Sequence, residues 1–130
     1  MKPSEKGSAA VEAALILPVL ILIMIAIFEY GLYFLRVYIY EQAVFAGARA
    51  GAIAEIDKNT VAESEAQSVL AELGISTPLP PITVESDLPG PVPGTTLITV
   101  SIDMAYTPVI GYSSLILPDR IRAVSSTLNY

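Results

Sequence analysis

From Ala13 to Phe28 no residue carries a charge, and extension to Leu35 adds only Glu29. About 20 such residues, wound as a helix, cross about 30 Å of hydrocarbon. This run limits the fold more than any other feature of the chain. Inside lipid the backbone must satisfy its own hydrogen bonds, and a single spanning segment does so as a helix. Pro18 interrupts the run, but membrane helices tolerate proline because neighbouring groups re-satisfy the freed carbonyl. Lys2 and Lys6 precede the run, so the positive-inside rule predicts a cytoplasmic N-terminus and an exported remainder. The transmembrane segment is expected at about 11–35. Phe28, Tyr30, Tyr33, Phe34, Tyr38 and Tyr40 cluster where it should emerge, either as interfacial rings or as packing on a partner helix.

The rest of the chain is acidic. After Gly51 there are nine acids against Lys58, Arg120 and Arg122, a balance equal to the whole chain's net charge of −6. Nucleic acid is therefore not an expected partner, since its binding rests on neutralising phosphates. Cys and His are both absent. That excludes thiol nucleophiles, disulfides, Cys/His zinc sites and any Ser/His/Asp set. No Gly-rich phosphate loop is present either, because "GARAG" lacks the Lys-Ser/Thr of such loops. Glu63, Glu65 and Glu72 read as a solvated helix face, and Asp103 and Asp119 as isolated strand-end acids. No cofactor, no metal and no enzymatic activity are expected.

A cleaved secretory signal fits the N-terminus poorly. The apolar core exceeds the 7–15 residues of such signals, and no A-x-A site follows it. An uncleaved signal anchor remains open, but it leaves Glu12 unexplained. A charge at mid-membrane costs about 2.5–3.5 kcal/mol on insertion scales, and less near the interface.

Gly7-Ser8-Ala9-Ala10-Val11-Glu12 joins a short basic leader to a glycine, with a glutamate at the fifth position after it. The apolar stretch follows that junction. This resembles the processing site of type IV pilins and pseudopilins. "SAAVEAALILPVLILIMIAIFEYG" further resembles the TadE family of tight-adherence (Tad/Flp) pseudopilins. The matching points are Ala10-Val11-Glu12, Ala14-Leu15, Pro18 and Glu29-Tyr30-Gly31, followed by the similar "EQAVFAGARAGA" of residues 41–52.

The resemblance implies residues 1–7 as a leader removed by a prepilin peptidase between Gly7 and Ser8. It implies that Glu12 then pairs with the Ser8 amine of a neighbouring subunit. Opposite charges attract far more in a low-dielectric bundle than in water, and each is costly there when unpaired. The implied partners are the membrane, the peptidase and other pilins or pseudopilins of the same apparatus.

Residues 8–54 can form one long helix, and 55–130 an exported head. Ala43, Ala46, Gly47, Ala50, Gly51 and Ala54 make a small-residue stripe, with Gly47 and Gly51 four apart. Such a stripe lets another backbone approach closely. It either meets a partner helix or packs under the chain's own sheet. Thr60 and Glu63 read as a capping box for a helix of about 14 residues ending at Gly74. Six prolines in 78–94 break the chain. Short strands are expected at 82–86, 95–107 and 119–130, with Ile98, Val100, Ile102, Met104 and Tyr106 on one face. The apolar stretch 108–118 either folds back on the head or faces a partner or membrane.

The expected fold class is α+β: a long N-terminal transmembrane helix, then a small head with one helix and about three antiparallel strands. The expected role is that of a minor pseudopilin acting in assembly. A main fibre subunit, or an unprocessed anchored protein that binds a partner, are the alternatives.

Overall fold

The computed structural model describes residues 3–75, 78–109 and 117–129. Helix α1 runs from Pro3 to Ile53, 51 residues. At 1.5 Å per residue that is about 76 Å. It begins before the expected Ser8 and passes through the Gly7–Ser8 junction unbroken. Its most apolar 18-residue window has a mean hydropathy of 2.8, and none of that window is buried by the rest of the chain. By length and composition this helix is able to cross a membrane.

Helix α2, Lys58–Glu72, packs back on the last turns of α1. Its start differs from the expected capping box. The N-cap is Asp57, in a left-handed conformation (φ 52°) and without a side-chain cap bond. The Val61 N–H reaches back to the Asp57 carbonyl at 3.0 Å. Thr60 is already inside the helix, and Glu63 accepts from Gln67 one turn on, at 3.1 Å. The short connection 54–57 must reverse the chain, and it places the first helical turn three residues earlier than the motif suggested. The other end is as expected. Gly74 (φ 89°) follows Leu73, Ile75 N–H bonds the Leu70 carbonyl at 2.8 Å, and Gly74 N–H bonds that of Ala71 at 3.1 Å. This paired pattern closes a helix wherever a glycine can take the left-handed position.

Three strands follow: β1 (Ile82–Pro89), β2 (Thr96–Ala105) and β3 (Arg120–Asn129). They form an antiparallel meander with β2 in the centre. Strand β1 is longer than expected. Its register shifts between Glu85 and Leu88, where Asp87 has φ 59°. As an edge strand it can end on Pro89, whose missing N–H costs no ladder bond there. Val92-Pro93-Gly94-Thr95 makes the turn into β2, with Gly94 at φ 89° and Thr95 N–H bonded to the Val92 carbonyl at 3.1 Å. Asp103 is not isolated. It accepts from Arg120 Nε at 2.9 Å across the β2–β3 pair.

The alternation of β2 puts Ile98, Val100 and Ile102 in the core, against Tyr40, Ala43 and Val44 of α1 and Ala62, Ala66 and Leu70 of α2. Both helices thus cover one face of the sheet, and the architecture is α+β. The opposite face is polar, with Thr99 and Ser126 hydroxyls 2.8 Å apart.

Strand β2 runs antiparallel to α1. A Cβ placed at Gly51 would lie 3.4 Å from Ile98 Cδ1. Lower down, the Tyr40 hydroxyl meets Met104 Sδ at 3.3 Å, and Tyr106 packs edge-on against Tyr33 at 5.1 Å between ring centroids. The β1–β2 turn therefore sits at the C-terminal end of α1, and β2 runs out, through Tyr106 to Val109, toward the bare apolar helix.

Candidate functional site

Three places on α1 carry the residues with functional potential. The first is its N-terminal part. Gly7, Ser8, Glu12 and Pro18 all lie on exposed helix. Ser8 and Glu12 are one turn apart, on the same helix face. Among the described residues nothing else packs on them, so their groups are open to whatever surrounds the helix. Large apolar side chains from Val11 to Phe28 are exposed likewise.

The second place is the small-residue stripe. Ala43 is fully buried, Gly47 and Gly51 are buried, and Ala50 is half-buried. Their main neighbour is α2, not the sheet alone as one of the two expectations held. A Cβ at Gly47 would stand 2.6 Å from the Ala62 carbonyl oxygen and 3.0 Å from Ala66 Cβ. At Gly51 it would meet Ala62 Cβ at 2.9 Å, with the sheet contributing only the Ile98 contact. The close approach is thus used within the head, where the two helices cross without room for a side chain.

The third place was not singled out from the sequence. Glu29 is completely buried where the head first meets α1. Its Oε1 accepts from the Val109 backbone N–H at 2.6 Å and from the Tyr106 hydroxyl at 3.4 Å. Its Oε2 is buried without a hydrogen-bond partner among the described residues. The Arg36 guanidinium lies 5.6 Å from the Tyr106 ring centre, on the helix two turns above Glu29. Burial pushes the Tyr106 phenol above its ordinary pKa, the Glu29 carboxylate adds to this, and Arg36 offsets part of it. Tyr40 is also pushed up by burial, with Arg36 opposing. The signal for Glu29 was present in the sequence: it is the one charge between Ala13 and Leu35. Tyr106 looked like one more member of a strand face.

Of the aromatic cluster, Tyr30 and Tyr33 pack against the head's core and Tyr40 is within it, while Phe28, Phe34 and Tyr38 stay exposed. Of the apolar stretch 108–118, Leu117 is buried in the core and Val109 is exposed. Residues 110–116 lie outside the described residues. Among the described residues no cluster of three acids is placed to hold a metal ion.

No curated protein and no solved structure matches the chain. The family model described as TadE-like protein matches residues 7–49. The match begins at Gly7, takes in Glu12, Pro18 and Glu29, and ends within the small-residue stripe. α2 and the sheet fall outside it. Over residues 7–49, the part of α1 that holds the exposed apolar stretch and the Glu29 junction, the chain is similar to the TadE-like family.

Proposed function

We propose that this chain is a minor pseudopilin-like component of a Tad/Flp-type pilus or secretion apparatus, working by assembly and not by catalysis. A prepilin peptidase cuts between Gly7 and Ser8, the basic residues stay in the cytoplasm, and the head is exported. The apolar helix then anchors the subunit in the inner membrane or enters a fibre. Glu12, now fifth from the new N-terminus, pairs with the Ser8 amine of a neighbouring pilin or pseudopilin.

One observation carries this reading: the TadE-like match coincides with a helix largely exposed from Val11 to Phe28, on which Glu12 has no partner among the described residues. A carboxylate in apolar surroundings is stabilised by an opposite charge, and in this arrangement such a charge comes from outside the chain. The head supports the minor role over that of main fibre subunit, since Tad-type main pilins resemble little more than the N-terminal helix.

Mass spectrometry of the membrane-bound protein, with and without a co-expressed prepilin peptidase, tests the reading. A mature N-terminus at Ser8 only when the peptidase is present is expected. An N-terminus that stays at Met1 or Lys2 in both cases removes the pseudopilin reading and favours an unprocessed anchored protein.

A further inference from the structure

The membrane boundary on this chain is set by the head itself. From Val11 to Phe28 the helix rises about 26 Å, and from Ser8 to Glu29 about 32 Å. These bracket the roughly 30 Å thickness of a bilayer's hydrocarbon core. Side chains on the first stretch are exposed except for the half-buried Ile25 and Ala26, and Glu29 is the first fully buried residue of the described helix. Glu29 is the residue that holds the β2–β3 connection, through the Val109 N–H at 2.6 Å and the Tyr106 hydroxyl. A hydrogen bond shielded from solvent is electrostatically stronger than one in water. Val109 itself is 70% exposed, next to a carboxylate that follows Phe28 directly in the chain, and Phe28 is 65% exposed. Tyr30 and Tyr33 lie just above, followed by Arg36. An aromatic band capped by a cation is the pattern of a helix leaving the bilayer.

We propose that Val109 is a lipid-contacting residue: Glu29 pins Val109, just past the end of β2, at the outer bilayer surface, so that the Val109 side chain enters the interface and the head stands on the membrane instead of swinging above it. Val109 is held at Glu29, the residue directly after exposed Phe28 at the end of the apolar stretch, and this nearness selects lipid as its occupant. Burying a side chain of this size is worth about 1.5–3 kcal/mol, a useful supplement to a single helix as an anchor. The proposal rests on α1 spanning the membrane, as in the function proposed above.

The chain has no Trp, so single introduced tryptophans report without background. Three full-chain variants in phosphatidylcholine vesicles suffice: Val109→Trp, Leu20→Trp in the middle of the bare stretch, and Val92→Trp at the opposite end of the head. The vesicles carry lipids brominated either near the headgroups or near the acyl-chain ends. Leu20→Trp should be quenched by the deep bromines and Val109→Trp by the shallow ones, with Val92→Trp unquenched. Adding Glu29→Ala should cut the shallow quenching of Val109→Trp. If Leu20→Trp is quenched and Val109→Trp is as unquenched as Val92→Trp, the lipid contact is wrong, and a neighbouring subunit or solvent faces Val109. If Leu20→Trp escapes quenching, the spanning helix itself is refuted, and this proposal with it. Unchanged quenching in the Glu29→Ala background overturns the pinning. Should Val109→Trp not fold, Val109→Cys with an environment-sensitive probe gives the same readout, because the chain has no Cys.

Discussion

Glu29 Oε1 accepts the backbone N–H of Val109 at 2.6 Å, joining positions 80 residues apart in the sequence. This one bond ties Val109, just past the end of β2, to the first fully buried residue of the described helix. It is made by a fully buried carboxylate, so water does not compete for it. The other oxygen of that carboxylate has no partner among the described residues, and a buried acceptor left unpaired costs the fold its desolvation.

Glu29→Ala leaves the Val109 N–H and the Tyr106 hydroxyl without their acceptor. Removing one partner of a buried hydrogen bond costs about 1–3 kcal/mol. Amide exchange at Val109, measured on the full chain in detergent micelles, should speed up sharply. Glu29→Gln keeps an acceptor oxygen and should speed it up much less. Equal protection in Glu29→Ala and the parent would show that the bond contributes nothing.

Gly47→Ala puts a methyl group 2.6 Å from the Ala62 carbonyl oxygen, a backbone atom that cannot turn aside. Overpacking of this kind costs about 1–3 kcal/mol. A domain of this size loses roughly 4–8 °C of melting temperature per kcal/mol. Gly31→Ala, with nothing within 4 Å, should leave the melting of the head unchanged. Circular dichroism melts of both variants decide whether the stripe is spent on the α1–α2 contact. A Gly47→Ala head as stable as the parent would refute that assignment.

Tyr106 is raised above its ordinary pKa in the fold. The folded state then holds the phenolic proton more tightly than the unfolded chain does. Its contribution is fully present below the unfolded value near 10 and is lost as pH rises through the folded value. The head should therefore weaken on alkaline titration from about pH 10 upward. Phenolate absorbance should show a late-titrating component that shrinks in Tyr106→Phe and keeps a remainder from Tyr40, which burial also raises. A titration curve identical in Tyr106→Phe and the parent contradicts the buried placement.

Gly7→Ala should slow processing, because the peptidase must accommodate the residue at the cut. Glu12→Ala should insert into the membrane and be cut normally, yet fail to support assembly. Immunoblots of precursor and mature forms check the first, and surface pilus yield checks the second. Normal pilus yield from Glu12→Ala rules out the charge pair.

Much of the plan could be read in the sequence because its signals are local. A run without charge from Ala13 to Phe28 requires a long bare helix whatever follows it. The alternation from Ile98 to Ile102 requires a strand with one buried face. Gly74 ends α2 because a left-handed residue is needed there and glycine provides it. The start of α2 was misread for the complementary reason. Thr60 and Glu63 carry a capping pattern, but the tight reversal through Asp57 determines where the helix begins, and tertiary closure outweighs a motif worth about 1 kcal/mol.

What the sequence determined by itself, then, is the division of the chain into a bare apolar helix and an acidic α+β head, since length, charge and periodicity follow from consecutive residues. The tertiary structure alone decided which residues meet across that division. Gly47 faces Ala62 because α2 folds back on α1, and Glu29 faces Tyr106 and Val109 because β2 descends antiparallel to α1. The second meeting depends on the direction and register of elements some 80 residues apart, and no local pattern encodes it.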